Sequence, residues 1–177
     1  MKWIYAFRRF LFNRALKSVL PARAQHLLLN LKEAKSIGIL YESNTAADDQ
    51  AVAAFRNTML QQGKTVEVLS QVNDKKVLSK ENAAIFHRKD IGFNYVPGGE
   101  NVEAFISKPF DLLIAAFTEE NLTLEYISYL SKAKCRVGVF QLNKTGAFEL
   151  MVNVGSRKDL PYFFDQSVHF LSKINHD

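Results

Sequence analysis

Three short polar segments hold the residues best suited to bind a ligand. They are Glu42, Ser43, Asn44 and Thr45; Thr118, Glu119, Glu120 and Asn121; and Gln141, Asn143, Lys144 and Thr145. Hydroxyls and amides of this kind can hold phosphate together with the free N–H groups at a helix start. The carboxylates Glu42, Asp48, Asp49, Glu119 and Glu120 could supply oxygen ligands to Mg²⁺. Acids in a first helical turn also complement the helix dipole, which explains them without a metal. Nucleophilic chemistry has less to work with. Cys135 is the sole cysteine, so no intramolecular disulfide or zinc ribbon forms, and His26, His87, His169 and His176 are scattered. There is no His-Glu-x-x-His, Gly-x-Ser-x-Gly, Gly-x-Gly-x-x-Gly or Walker A sequence. No catalytic residue and no metal site is assigned, and the residues name no cofactor.

The polar segments follow apolar runs that read as buried strands. These are residues 36–41, 65–69, 111–116, 136–140 and 149–154, with a further candidate at 83–87. Helical patterns lie between them. Thr45-Ala46-Ala47-Asp48 has the form of a capping box, opening a helix that buries Val52, Phe55, Met59 and Leu60 and stops at Gly63. Further helices are expected over 100–107 and 122–132. A last one begins near Asp159-Leu160-Pro161 and buries Phe163, Phe164, Val168, Phe170 or Leu171, and Ile174. Pro97-Gly98-Gly99 marks a turn in a poorly patterned stretch. Strands alternating with helices imply an α/β fold: a three-layer, open, mostly parallel sheet of flavodoxin-like or Rossmann-like type. In such a sheet ligands sit beyond the carboxyl ends of the strands, where the strand order reverses. That rule makes Glu42, Ser43, Asn44, Thr45, Thr118, Glu119, Asn143 and Lys144 the candidate ligand-binding residues. The Tyr41–Thr45 segment resembles the hydroxyl-rich phosphate loop of flavodoxins, but it lacks that loop's glycine and later threonine. Helix capping accounts for the same residues.

The charge is uneven. The 177-residue chain carries a net +5, yet residues 1–35 alone carry +7 and the rest −2. Residues 1–35 therefore read as a basic helical arm, and 36–177 as a single α/β domain. Trp3, Ile4, Phe7, Phe10 and Leu11 recur at helical spacing, with Lys2, Arg9, Asn13 and Lys17 roughly opposite. Pro21 breaks this helix, and a second helical segment is expected from 22 to 34, with Leu27, Leu28 and Leu31 as its apolar positions. Trp3, Phe7, Arg8, Arg9, Phe10, Arg14 and Lys17 are the candidate surface-docking residues. The five-residue apolar run before Arg8-Arg9 is too short for a signal peptide core, and no stretch approaches a membrane-spanning length. The expected location is cytoplasmic, with peripheral contact at the inner membrane.

Asp111-Leu112-Leu113-Ile114, Leu124-Glu125-Tyr126-Ile127, residues 131–138, Glu149-Leu150-Met151-Val152 and Leu160-Pro161-Tyr162-Phe163-Phe164 run in one order. Together they resemble a family of small uncharacterised bacterial α/β proteins, a domain of unknown function. The resemblance supports the fold and implies no activity and no catalytic residues. Two readings follow from the residues. The leading one is a non-catalytic α/β interaction module whose arm docks on a protein partner, a sister subunit or an anionic membrane. The alternative is a small enzyme or sensor binding a nucleotide or phosphorylated metabolite at the ends of the first and fourth strands. Nucleic acid is not an expected partner, because the rings share one face instead of interleaving with the bases.

Overall fold

Alternate residues of the strand Ser36–Ser43 (β1) enter two different cores. Ile37, Ile39 and Tyr41 pack on one side, Leu40 on the other, so both faces of the strand are covered. The computed structural model describes residues 2–19, 27–72, 83–141 and 146–174. After the N-terminal helix Lys2–Val19 (α1) and β1 come Ala46–Gln61 (α2), Thr65–Val72 (β2), Ala84–His87 (β3) and Glu100–Ser107 (α3). Leu112–Ala116 (β4), Leu122–Leu130 (α4), Cys135–Val139 (β5), Leu150–Val152 (β6) and Leu160–Leu171 (α5) complete the order.

The six strands form one parallel sheet in the order β3-β2-β1-β4-β5-β6. Ile39 stands opposite Val68 on β2 and Ile114 on β4. Helices α2 and α5 cover one face, where Phe55 and Phe164 stack with centroids 4.3 Å apart. Helices α3 and α4 cover the other, through Val102, Phe105, Leu124 and Ile127. The three-layer α/β architecture is therefore present, and the strand order reverses between β1 and β4.

Local sequence explains most element ends. Thr45 caps α2 in the expected box: its hydroxyl accepts from Asp48 N–H, and the Asp48 carboxylate accepts from Thr45 N–H. Asn121 and Asp159 cap α4 and α5 in the same way, each accepting from a backbone N–H three residues on.

Several expectations need correction. Strand β1 runs two residues further than the pattern indicated, so Glu42 and Ser43 belong to the strand and pair with Gln71 and Val72. Cys135 is the first residue of β5, not the residue before it. Strand β6 is shorter than 149–154. Leu60 is exposed, and of Phe170 and Leu171 it is Leu171 that is buried. The helix expected over 22–34 does not form in its described part: residues 27–30 are irregular and 31–33 form a turn. Tertiary bonds replace helical ones there. Leu31 N–H donates to Leu171 C=O, and the buried Lys64 ammonium donates to the carbonyls of Leu31 and Ala34 at 2.6 and 2.7 Å. Burial lowers the Lys64 pKa, with Asp111 opposing the shift.

Candidate functional site

Helix α1 lies against the outer side of α4. Phe12, 2% exposed, packs on Leu122 and Tyr126, with Ala15 and Leu16 beside it. One helical turn earlier, Arg8 reaches the segment after β3. Its guanidinium carbon lies 3.9 Å from the Tyr95 ring centroid and 5.1 Å from that of Phe93, and Nε donates to Phe93 C=O at 2.6 Å. Tyr5 O–H donates to Glu120 at 3.1 Å and accepts from Arg9 at 3.0 Å. Arg9 also pairs with Glu120 at 3.3 Å. The Tyr5 bond, then the Glu120 charge, hold the Arg9 pKa above its ordinary value against burial. Residues 5, 8, 9, 12 and 16 thus form the body-facing side of the helix. Arg8 and Arg9, expected among the docking cations, turn inward.

The opposite side carries the rings. Trp3 is 77% exposed, Phe7 45% and Phe10 60%, with Trp3 and Phe7 stacked at 6.0 Å. Arg14 and Lys17 continue that stripe at the next helical positions, so Lys17, expected opposite the rings, lies on their side, and neither makes an ion pair among the described residues. No described helix is long and apolar enough to cross a membrane.

The segment held by Arg8 is a tight loop. A 3-10 turn, Arg88–Asp90, leads into an antiparallel bridge between Ile91 and Pro97. Gly92 N–H donates to Val96 C=O at 2.8 Å, and Tyr95 sits at φ 63°, a left-handed conformation a tyrosine rarely adopts. Thr123 O–H donates to Tyr95 C=O at 3.1 Å, tying the loop to α4.

Between α1, this loop and the strand ends lies a cleft of about 380 Å³. Its floor is Glu42 at the end of β1, Gln71 at the end of β2, and Asn121 after β4. Asn121 Nδ2 donates to Glu42 at 3.0 Å and to Gln71 at 3.2 Å, while its Oδ1 caps α4 by accepting from Leu124 N–H. One amide side chain therefore ties two strand ends to a helix start at the point where the strand order reverses. Tyr5, Arg8, Arg88, Phe93 and Tyr95 form the walls.

A model of the family of unknown function DUF6913 matches residues 6–174. The chain belongs to this family. The match begins inside α1 and ends after α5, so it takes in α1 from Ala6 onward, the loop and the cleft residues other than Tyr5. No curated protein and no solved structure matches the chain.

The candidate ligand residues divide. Glu42, Asn44, Thr118 and Glu119 come together with Asp48 around a recess of only about 40 Å³. Ser43 and Thr45 spend their hydroxyls on the fold: Ser43 donates to Asp49 at 2.8 Å and Thr45 to Asp48 at 2.8 Å. Tyr41 also donates to Asp49, at 2.9 Å, and burial raises its pKa. Glu119 pairs with Lys158. Asn143, Lys144 and Thr145 lie outside the described residues, as do His26 and His176. The five carboxylates go to separate partners, and no group of three metal-ligating side chains forms among the described residues. Cys135 is buried at the amino end of β5, and burial pushes its thiol up to about 11, so it is not nucleophilic near neutrality. The larger cleft draws on Gln71, Arg88, Phe93 and Tyr95, none of which the sequence pattern singled out. Its one outward signal was the turn at Pro97-Gly98-Gly99, which closes the loop.

Proposed function

We propose that the chain is a docking module that presents α1 to an anionic membrane surface at the inner face of the membrane. The observation that carries this reading is the outward Trp3, Phe7, Phe10 stripe continued by Arg14 and Lys17. A helix that needed those rings for its own fold would turn them inward. Here Phe12 and Arg8 do the anchoring and the ring face is left over. Rings at the headgroup boundary with cations against anionic lipid are the pattern of an interfacial helix, each cation adding about 1 kcal/mol near such a surface. Helix α1 has no acidic residue, so a second copy of the same face offers nothing to offset its cations.

Trp3 is the sole tryptophan, and its emission reports directly on the contact. Flotation with phosphatidylcholine vesicles, with and without phosphatidylglycerol, tests the reading. Expected is flotation only with the anionic vesicles, a blue shift of Trp3 emission, and loss of flotation in the Phe7→Ala/Phe10→Ala and Arg14→Ala/Lys17→Ala variants. Equal binding to neutral and anionic vesicles, or flotation unchanged in both variants, overturns it.

A further inference from the structure

We infer that the cleft between α1 and the ends of β1 and β2 is a binding site for a small organic phosphate, a sugar or nucleoside monophosphate. This inference is independent of membrane docking. The cleft lies where an open parallel sheet holds its ligands, beside the reversal between β1 and β4, and its volume of about 380 Å³ is within the usual range for small-molecule sites.

Its lining holds two kinds of group. The first is cationic: Arg88 is exposed and makes no hydrogen bond or ion pair among the described residues. Arg8 lines the cleft too: its guanidinium lies over the Tyr95 and Phe93 rings and its Nε donates to a carbonyl, while its two Nη groups make no hydrogen bond among the described residues. Two guanidinium forks match the doubly charged, three-oxygen face of a phosphate monoester better than a single carboxylate. The second is acidic: the carboxylates of Glu42, which accepts from Asn121, and Glu120, which accepts from Tyr5 and pairs with Arg9, also line it. Bare phosphate would be repelled there, whereas sugar hydroxyls can donate to them. Phe93, 58% exposed at the rim, offers a face on which a base can stack. The ligand must therefore carry an anionic end and a donor-rich end.

Isothermal titration of the full chain without lipid, using AMP, ribose 5-phosphate, adenosine, inorganic phosphate and glutamate as probes, tests this. Expected is binding of AMP and ribose 5-phosphate, with adenosine and inorganic phosphate at least tenfold weaker. Arg88→Ala should weaken AMP binding by about tenfold or more, the loss of one charge-assisted fork, and Arg88→Lys by less. Arg88 is on the surface, so circular dichroism and thermal midpoint should match the parent chain. The inference is overturned if neither organic phosphate binds at millimolar concentration or if Arg88→Ala leaves AMP affinity unchanged. It is equally overturned if inorganic phosphate or glutamate binds as tightly as AMP.

Discussion

The Arg8 guanidinium carbon stands 3.9 Å from the ring centroid of Tyr95, the one non-glycine residue at positive φ among the described residues. A strained backbone persists only where its surroundings over-determine it. Here the surroundings are Arg8 from above, Thr123 bonding the Tyr95 carbonyl, and the Gly92–Val96 bond within the loop. The helix with the outward rings and the loop that walls the cleft are thus joined through Arg8, and Tyr95 and Val96 also pack on the cluster that holds Phe12.

Arg8→Ala should cost roughly 1 to 2 kcal/mol, the scale of a partly desolvated cation–π contact with its hydrogen bond. The loss should be local. Amide exchange should rise in α1 and residues 91–97 while β1 and β4 stay protected. Exchange unchanged in either segment would mean that the contact does not couple them.

Phe12 and Phe10 are two residues apart and should behave oppositely. Phe12 is buried against α4, so Phe12→Ala should destabilise by about 2 to 4 kcal/mol in urea titrations. Phe10→Ala, on the exposed stripe, should stay within about 0.5 kcal/mol of the parent. Similar losses for the two would show that the helix sits on the body by a different face.

Much of the architecture was legible because local signals agreed with the global fold. Thr45 and Asp48 announce a helix start, Pro161 permits another, and residues 112–116 are apolar throughout because both sides of β4 are covered. What was illegible depends on partners distant in sequence. The buried Arg136 guanidinium pairs with Glu149 and donates to the Ser128 and Tyr129 carbonyls. Nothing in the spacing of those residues distinguishes that network from surface charge. The face on which α1 rests was not legible in the sequence, for the same reason. The ring stripe stands out as a docking surface, but nothing in the pattern marks Phe12, Ala15 and Leu16 as the side that fits α4. The cleft lay hidden in residues 88–98, whose shape comes from turns, a bridge and Arg8 instead of periodicity.

Gly138 shows why β5 carries a glycine in mid-strand. A Cβ there would stand 2.6 Å from the Phe148 ring, a distance no real contact permits. Gly138→Ala should therefore cost about 1 to 3 kcal/mol through overpacking. Adding Phe148→Leu, which withdraws the ring, should recover part of the loss. A double variant no more stable than Gly138→Ala alone would remove the ring from the explanation.

Asp111 ties the amino ends of three strands together, and this makes stability depend on pH. Its carboxylate accepts from Lys35 N–H, from Ser36 N–H and O–H, and from Lys134 Nζ at 2.7 Å. Desolvation alone would raise its pKa, but the Lys134 bond and the bonds from Lys35 and Ser36 outweigh it and bring the value down to about 2. A carboxylate depressed in the folded state stabilises fully above its unfolded pKa near 3.9 and loses that contribution as pH falls through the folded value. The contribution near neutrality is on the order of 2 kcal/mol, and it should disappear between about pH 4 and pH 2. Asp111→Asn should lower stability at pH 7 by about that amount and flatten the profile over the same interval. Urea titrations of both chains across that range check this. Parallel pH profiles would show that the carboxylate charge contributes nothing there.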